Sequence, residues 1–462
     1  MTQQLPYLTS DLPGIGGRIK QSVEDFQVRE VPRYSPSGQG THLYFRVIKR
    51  GVPTPVAVER IARHMGVRPP DIGVAGLKDA TALTTQMMSL EHADAERLKH
   101  FKDSQIEVEL LGLHTNKLRP GHLAGNEFVI RIRGVGAQQL PAARQIVEVL
   151  SRRGVPNYYG EQRFGARGDT AKLGELLVRN DLDEFIRQYL GRPQASDPSD
   201  CKAAREDFDA GFYERALNHW PRHYANERKA LSAYKKKKHA GPAMAAIDKR
   251  MKRLYVSAFQ SELFNEVLVE RLSTLDRVLY GDLAVKPSGA AFYVLDEAAE
   301  APRAAALEIS PSGPIIGTRC NLAAGVGYEI PVRPAKGAAA GTQGEQPPAA
   351  TEGDEEGEID AVIEPVEISP GQPVPPPPTQ QLINPGKIER DVLARHNVTG
   401  EDFRHIGSLK VKGTRRPLRF ALQQPLLQAG IDGEGPYVEL SFIAPSGCYA
   451  TVVLREIMKS GE

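Results

Sequence analysis

The sequence predicts an α+β fold in which long antiparallel-type strands are interrupted by a few helices. Three observations lead to this prediction. Strand-like and helix-like patterns alternate over residues 18–155, helical spacing dominates 170–272, and a strand-rich pattern returns near the C-terminus. With 462 residues, the chain is long enough for about two or three domains.

The first part of the chain alternates between strands and helices. Residues 26–31 and 42–48 show the period-two alternation of half-buried strands. Helix-spaced apolar residues predict a helix over 54–65, which a Gly-Val-Arg-Pro-Pro break ends. Further elements are predicted along this part of the chain: strands at 72–77, 84–90, 106–113 and 127–133, and a helix over 140–152.

The second part is mostly helical, and its longest helical stretch is predicted over 243–272. Residues 282–333 and 403–412 have the pattern of short strands and turns. Near the C-terminus, 437–442 and 449–454 look like two strands with Gly447 between them, which predicts a hairpin that completes the N-terminal sheet.

The composition is that of a globular protein, with 40% hydrophobic and 25% charged residues. The N-terminal residues lack the pattern of a signal peptide, and no apolar run approaches the length of a membrane span, so we expect a cytoplasmic protein without membrane contact. Three scattered cysteines fit neither a disulfide framework nor a zinc ribbon. Phosphate-binding, dinucleotide-binding and zinc-hydrolase signatures are missing from the sequence, so no cofactor and no metal is expected.

The net charge of +2 hides an uneven distribution. Nine acidic residues and no Lys or Arg fall between Gly337 and Gly386, and leaving them out raises the net charge from +2 to +11. The rest of the chain is therefore basic, as expected for a protein that binds a polyanion. The segment 335–381, rich in Ala, Gly, Glu and Pro, is predicted to be a disordered insertion.

The most unusual motif begins with Gly76-Leu77-Lys78-Asp79 and runs to Gln86, between two predicted strands. A cation next to Asp79 keeps its carboxylate ionised, which suits a general base or a nucleophile. The alternative is that Lys-Asp is ordinary turn chemistry.

Two further positions have both a structural and a functional reading. Phe26 is either a core residue or a ring on which a base stacks, and Asn126 either caps a turn or binds the edge of a flipped base. The aromatic block 157–165 is typical of either a nucleic-acid contact loop or a packed domain junction. Helical spacing at Phe259, Leu263 and Phe264 favours packing.

Taken together, these strings resemble the TruD family of transfer-RNA pseudouridine synthases. The resemblance rests on strings in one order: Asp25-Phe26-x-Val28-x-Glu30, Gly76-x-Lys78-Asp79-x-x-Ala82-x-Thr84-x-Gln86, Gly125-Asn126-x-Phe128, the block 157–165, Gln260-Ser261-x-Leu263-Phe264-Asn265, and Phe442-x-x-Pro445-x-Gly447-x-Tyr449-Ala450-Thr451.

The resemblance implies a V-shaped molecule of two domains. A catalytic pseudouridine-synthase domain on a mixed, mainly antiparallel sheet is expected from 1–155 and 413–462. An inserted α/β TRUD domain is expected over 156–412, with the acidic segment 335–381 as an excursion from it.

The resemblance also implies a reaction and a site. The expected reaction is isomerisation of uridine to pseudouridine, most typically uridine 13 of transfer RNA, without a cofactor and without an obligate protein partner. Asp79 is expected to be the essential carboxylate, acting as a nucleophile or, as we favour, by removing a sugar proton. The expected RNA-binding residues are Phe26, Asn126, Tyr449, Phe128, Lys20 and Lys78.

Two other functions fit parts of the sequence. A non-catalytic RNA-binding or RNA-folding protein would keep the scaffold and its basic surface, but binding alone would tolerate loss of Asp79 and Asn126. A phosphate-ester enzyme that uses the Lys-Asp loop lacks further acidic metal ligands nearby.

Overall fold

The computed structural model describes residues 5–78, 81–328, 330, 332–334, 366–368, 383–404, 406 and 409–460. The chain folds into two compact units. Of the described residues, 7–157 and 419–460 form the first, here called the sheet unit. Residues 5–6 and the described residues of 158–418 form the second, here called the helical unit.

The strands, numbered in chain order, are β1 (Phe26–Pro32), β2 (His42–Arg50), β3 (Ile72–Val74), β4 (Leu83–Glu91), β5 (Ile106–His114), β6 (Leu123–Arg133), β7 (Val155–Pro156), β8 (Leu283–Val285), β9 (Ala291–Tyr293), β10 (Ser310–Ile315), β11 (Val332–Pro334), β12 (Val366–Ile368), β13 (Thr414–Pro417), β14 (Arg419–Phe420), β15 (Gln423–Asp432) and β16 (Gly435–Pro445).

The α-helices are α1 (Thr54–Met65), α2 (Ala95–Lys99), α3 (Leu140–Arg153), α4 (Thr170–Val178), α5 (Leu182–Leu190), α6 (Ser199–Asp209), α7 (Tyr213–His219), α8 (Ala225–Lys237), α9 (Ala240–Ala246), α10 (Lys249–Arg271), α11 (Glu297–Ala305), α12 (Pro385–Arg395) and α13 (Ala450–Met458). Short 3-10 helices cover Val23–Asp25, Pro69–Asp71, Ala137–Gln139, Glu161–Phe164, Leu272–Thr274 and Gly400–Arg404.

An eight-stranded mixed sheet organises the sheet unit. Its order is β15-β16-β6-β1-β4-β2-β5, with β3 also paired to β4. Within this sheet the pair β1–β4 is parallel and the other pairs are antiparallel. The α+β prediction with a mixed, mainly antiparallel sheet is confirmed.

Helix α1 covers part of one face of this sheet. Its buried Ala57 and Ile61 pack against Phe45 and Val47 of β2 and against Met88 of β4. These residues recur at helical spacing in α1 and at every second position in the strands, so they lie on one side of the sheet. This side is called the core face below, and it carries the candidate site.

The predicted C-terminal hairpin is wrong. Strand β16 pairs with β15 and β6, and residues 450–458 form helix α13. A short apolar run does not distinguish a strand from a helix. The deciding feature is the continuation to Met458, which buries Ala450, Val453, Leu454 and Ile457 at helical spacing.

The helical unit is built around α10. Helix α4 crosses α10 at Gly174, where a Cβ would clash with the carbonyl oxygen of Tyr255, so the close approach requires glycine. A small antiparallel sheet of order β13-β10-β8-β9 lies in the same unit.

Three sequence predictions in the helical unit need correction. The long helix expected over 243–272 is two helices, because α9 ends at Ala246 and Asp248 caps α10 by accepting from the backbone N–H of Arg250. Helix α11 lies where strands and turns were expected, and the Ala- and Glu-rich run after its capping Asp296 is a strong helix signal. The 3-10 helix Gly400–Arg404 overlaps the start of another predicted strand region.

The segment 335–381, predicted to be disordered, lies outside the described residues except for Val366–Ile368. These three residues pair in parallel with Val332–Pro334, so here the structure has a strand where the sequence predicted none. Of the helices within the described residues, none is long and apolar enough to cross a membrane.

Candidate active site

The loop that joins β3 to β4 is held by neighbouring elements. The backbone N–H of Lys78 donates to Oγ1 of Thr54 at the start of α1 (2.9 Å). On β4, Gln86 donates through Nε2 to the carbonyl of Gly76 (3.3 Å) and accepts from Thr54 Oγ1 (2.8 Å). The backbone up to Lys78 is therefore fixed from two sides. Asp79, the predicted essential carboxylate, lies outside the described residues.

A second lysine is buried next to this loop. Lys49 on β2 has no exposed surface, and its Nζ donates to the carbonyl oxygen of Val52 (2.6 Å) and lies 3.5 Å from that of Lys78. Carbonyl oxygens offset part of the free energy that is lost when an ammonium group leaves water. Lys49 follows Phe45 and Val47 in the alternation of β2, which places it on the core face.

Three polar side chains form a row across the core face. Glu30 of β1 pairs directly with Asn126 of β6. In the parallel pair, Arg29 is aligned with Thr85, so Glu30 is the neighbour of Gln86 on β4. Because side chains alternate between the two faces of a sheet, Gln86, Glu30 and Asn126 lie side by side on one face.

Lys78 extends from the loop to this row. Its Nζ donates to Oδ1 of Asn126 (2.5 Å) and lies 3.7 Å from Oε2 of Glu30, which makes an ion pair without a hydrogen bond. Oε1 of Glu30 accepts from the backbone N–H of Met87 (3.3 Å). The side chains of Lys78 and Glu30 are only 6% and 1% exposed. We call Glu30, Lys78 and Asn126 the polar cluster.

Burial shifts both ionisable members of the polar cluster toward their neutral forms. Loss of hydration raises the pKa of Glu30, and the nearby charge of Lys78 opposes that shift. Burial lowers the pKa of Lys78, and the charge of Glu30 opposes that shift in turn. Each charge therefore helps to keep the other ionised. Perturbed pairs of this kind are common at functional sites.

An aromatic cluster borders the polar cluster on the same face. Phe128 stacks on Phe442 with ring centroids 5.2 Å apart, and Phe26 meets Phe128 edge to face at 6.3 Å. All three rings are buried. Nζ of Lys20 lies 4.5 Å from the centroid of the Phe26 ring, at the distance of a cation–π contact.

Tyr449 caps the start of α13 and is 39% exposed. It follows the turn after β16, in which the N–H of Ser446 donates to the carbonyl of Ala124 and that of Cys448 to the carbonyl of Pro445. Ala444 of β16 pairs with Asn126 of the polar cluster. Tyr449 therefore follows the end of a strand that lies next to this cluster.

A buried ion pair fixes the start of β1. Arg133 donates through Nε (2.9 Å) and Nη2 (2.6 Å) to Oδ1 of Asp25 and through Nη1 to Asp432 (2.5 Å). Asp25 accepts from the backbone N–H of Ser22 (3.1 Å). This network holds the chain between Ser22 and Phe26 and thereby the position of the Phe26 ring.

In the helical unit, two of the sequence strings pack against each other. Asn265 of α10 accepts from the backbone N–H of Tyr159 (2.9 Å) and donates to its carbonyl (3.0 Å), and Arg163 donates to Oγ of Ser261 (3.1 Å). Tyr159 is buried. Tyr159 and Arg163 thus pack against α10 within the helical unit, while Glu161, Gln162 and Gly165 of the same block are exposed. Phe259, Leu263 and Phe264 are buried, in agreement with the packing interpretation.

Sequence reasoning missed Glu30 and Lys49 as parts of the site. Both follow buried apolar residues at alternating positions, Glu30 after Phe26 and Val28 and Lys49 after Val47, so each places a charge on the apolar side of a strand. A charge in that position is rarely buried without a partner, and this signal was present in the sequence. Among the described residues no group of three potential metal ligands is found.

Comparisons with known proteins identify the family. The family model described as tRNA pseudouridine synthase D (TruD) matches residues 3–333 and 342–457, which includes most of the acidic segment. The protein named tRNA pseudouridine synthase D from Geotalea daltonii is 37% identical over 98% of this chain and 100% of its own length. Its counterpart from Geobacter metallireducens is 36% identical over 100% and 99%.

A solved structure shares the fold. The chain described as tRNA pseudouridine synthase D from Methanosarcina mazei superposes with a TM-score of 0.77 at 24% identity and covers 99% of both chains. With the family model matched over nearly the whole length and relatives above 30% identity, the chain belongs to the TruD family of tRNA pseudouridine synthases.

Proposed function

We propose that this protein isomerises uridine to pseudouridine in transfer RNA, with uridine 13 as its target and Asp79 as the essential carboxylate. Family membership supports the type of reaction and the class of RNA. The observation that carries the proposal to this chain is the polar cluster of Glu30, Lys78 and Asn126. The side chains of Lys78 and Glu30 are buried on the core face, Asn126 is half-buried beside them, and Lys78 directly precedes Asp79 in the sequence.

The reaction breaks the bond between N1 of uracil and C1′ of the ribose and joins C5 to C1′. The hydrogen on C5 leaves as a proton and N1 gains one, so atoms and electrons balance without an oxidant or a cofactor. Asp79 either attacks C1′ to form an ester, which breaks when C5 joins C1′, or removes the C2′ proton to give a glycal and returns that proton to C2′ when C5 joins C1′. We favour the second role. Both roles require the ionised form of Asp79, which a cation close to the carboxylate would favour.

The reacting uridine has to leave the RNA stack, so the protein must replace the stacking and hydrogen bonds that the base loses. Phe26, Phe128 and Tyr449 are the proposed stacking side chains, and Asn126 is the proposed hydrogen-bonding group. Because Nζ of Lys20 covers the Phe26 ring, stacking on that face requires Lys20 to move. Its ammonium group then becomes available for the phosphate or ribose of the target.

We propose that the sheet unit is the catalytic domain and that the helical unit is the family-specific inserted domain. A basic surface for RNA is proposed at Lys236, Lys237 and Lys238, which are exposed at the end of α8. Affinity for transfer RNA is then expected to fall steeply with salt, since counterions are released from neutralised phosphates. Replacing the three lysines with glutamate should weaken binding, and unchanged affinity would remove this surface from the proposal.

The experiment that tests the function maps pseudouridine by position in unmodified transfer RNA. It compares wild type, Asp79→Asn and the control Asp71→Asn, which alters a nearby carboxylate that pairs with Arg68 at the surface. Product at uridine 13 from wild type and from the control, but not from Asp79→Asn, is the expected result. Tight binding by all three without product would favour the non-catalytic RNA-binding protein, and product at another position would correct the target.

A further inference from the structure

The orientation of the Asn126 amide is fixed by its lysine neighbour. An ammonium group has only hydrogen-bond donors, so the amide atom that faces Lys78 Nζ must be the oxygen Oδ1. The Nδ2 group of Asn126 then points elsewhere, and among the described residues no acceptor for it is found. The amide is thus a donor toward whatever binds beside it.

Lys78 can hold this orientation only while it is charged and fixed in place. A neutral amine has a lone pair, so a deprotonated Lys78 could accept from Nδ2 and stabilise the flipped amide equally well. Its backbone is held through Thr54, and its side chain is buried. Burial alone favours the neutral amine, so a counter-charge is needed to keep the ammonium form.

Glu30 supplies that counter-charge. Its carboxylate lies 3.7 Å from Nζ, is 1% exposed, and is fixed by the backbone N–H of Met87. No other ionisable side chain among the described residues shifts the pKa of Lys78. Lys49 on β2 is a further cation, and it approaches the carbonyl oxygen of Lys78 rather than its ammonium group.

We propose that Glu30, acting through Lys78, is a positioning residue that presents Nδ2 of Asn126 as a donor to a carbonyl oxygen of the target uracil. This inference rests on the proposed function. Uracil carries an acceptor at O2 and at O4, and a flipped amide would set Oδ1 against that carbonyl, which is repulsive. Glu30 therefore contributes to recognition of the base without touching it.

The test follows the single-turnover rate of pseudouridine formation at saturating transfer RNA from about pH 6 to about pH 10. Glu30→Gln keeps the size of the side chain but removes its charge, so Lys78 loses its proton at lower pH. The rate ratio of wild type to Glu30→Gln is expected to grow by up to about twofold between pH 7 and pH 9, because a neutral Lys78 supports both amide orientations equally. Asn126→Asp, which lacks the donor, is expected to lose about 10- to 100-fold in rate at every pH.

The matched control is Glu127→Gln. Glu127 is the next residue along β6 after Asn126, but its side chain lies on the opposite face and pairs with Arg29 at the surface. Its pH profile is expected to coincide with that of wild type. Because ionisation of the RNA itself affects all variants alike, only a difference between Glu30→Gln and this control counts.

A second variant separates positioning from loss of structure. Lys78→Arg keeps a charge that does not titrate in this range, so adding Glu30→Gln to it should no longer move the alkaline limb. The inference would be overturned if Glu30→Gln lowered the rate equally at every pH, without moving the alkaline limb of the pH–rate profile. It would also be overturned if Glu30→Gln still moved that limb in the Lys78→Arg background. If wild type itself forms no pseudouridine, the proposed function is wrong and the inference with it.

Discussion

Two buried ion pairs in this protein are built differently. In the helical unit, Arg415 of β13 binds Glu389 of α12 through two hydrogen bonds, Nη2 to Oε1 at 2.7 Å and Nη1 to Oε2 at 3.0 Å. In the sheet unit, Lys78 and Glu30 are nearly as well buried, yet their charged atoms are 3.7 Å apart and share no hydrogen bond.

The two ion pairs differ in the partners of the hydrogen bonds that their side chains make outside the pair. Nε of Arg415 donates to Oγ of Ser312 (3.0 Å), and Glu389 also accepts from the backbone N–H of Ala323 (2.7 Å). This pair is surrounded by permanent partners. The ammonium of Lys78 instead donates to Asn126, while Oε2 of Glu30 has no hydrogen-bond partner among the described residues.

The comparison teaches that burial of a charge does not by itself reveal its role. A guanidinium fork that meets a carboxylate and fills its other donors is suited to holding elements together. A single lysine beside a carboxylate that has an unused hydrogen-bond acceptor, in a partly open row of polar side chains, is suited to binding a ligand. We therefore expect that breaking the Arg415–Glu389 pair mainly lowers stability and that breaking the Lys78–Glu30 pair mainly lowers activity.

The largest effect on stability is expected from Arg415→Met. It leaves Glu389 buried without its counter-charge, and breaking a buried pair in this way costs about 3 to 5 kcal/mol. The free energy of unfolding from denaturant titration measures it. The control is Arg404→Met in the exposed pair with Glu401, which is expected to change stability by less than about 1 kcal/mol. Equal effects of both variants would break the comparison.

Lys78→Met is expected to have the reverse profile. Because burial already raises the pKa of Glu30, that carboxyl can take up a proton once its partner is gone, which limits the loss to about 1 to 2 kcal/mol. The rate of pseudouridine formation should fall by no more than the roughly 10- to 100-fold expected for Asn126→Asp, since the orientation of that donor is lost. Lys99→Met, in an exposed pair with Glu96, serves as control for both measurements. A large stability loss with near-normal rate would assign Lys78 to structure.

An intermediate and pH-dependent effect is expected at His396 of α12. Its Nε2 lies 2.7 Å from Oε1 of Glu266, and that hydrogen bond raises the pKa of the imidazole, with the charges of Glu175 and Glu262 acting in the same direction. A raised pKa means that the folded state binds the proton more tightly. The stabilisation is therefore complete below the unfolded pKa of about 6.5 and is lost as pH rises through the folded value.

His396→Gln is accordingly expected to lower the free energy of unfolding by about 1 to 2 kcal/mol near pH 6 and by less near pH 9. The measurement is denaturant unfolding at both values. The control is His64→Gln, because that imidazole meets the backbone carbonyl of Arg97 rather than a carboxylate. A loss that is larger at high pH would contradict the sign of this shift.

Much of the sheet unit could be predicted from the sequence because its elements are strongly periodic. Helix α1 has the predicted bounds, and the alternation in β1 separates the buried positions from the more exposed ones, whereas the first four residues of β2 are all buried. Periodicity failed at 449–454, where the apolar run was too short to distinguish a strand from α13. Helix α11 was also missed, although the Ala- and Glu-rich run after Asp296 favours a helix.

The sequence predicted several residues of the candidate site but not the contacts among them. Lys78 and Asn126 were both expected from the family resemblance, and the structure joins them by a hydrogen bond. The alternation of β1 marks Glu30 as a charge on the apolar side of the strand, but its partner depends on strand register, which is not visible in a single sequence. The role of Lys49 could not be predicted either, because its contact with the loop comes from tertiary packing.

The smallest effect is expected from the exposed pair that spans the same two strands as Glu30 and Asn126. Arg29 donates through Nε to Oε2 of Glu127 (2.6 Å), and the Arg29 side chain is 65% exposed. Since water screens this pair, a double-mutant cycle of Arg29→Met and Glu127→Gln should give a coupling of about 0.2 to 1 kcal/mol that decreases with added salt. The rate of pseudouridine formation should stay within about twofold of wild type. A coupling above about 2 kcal/mol or a tenfold loss of rate would show that the face of the sheet does not decide whether a charge affects the site. Otherwise, a shift of one residue along each strand separates a charge pair at the surface from the charge that orients the site.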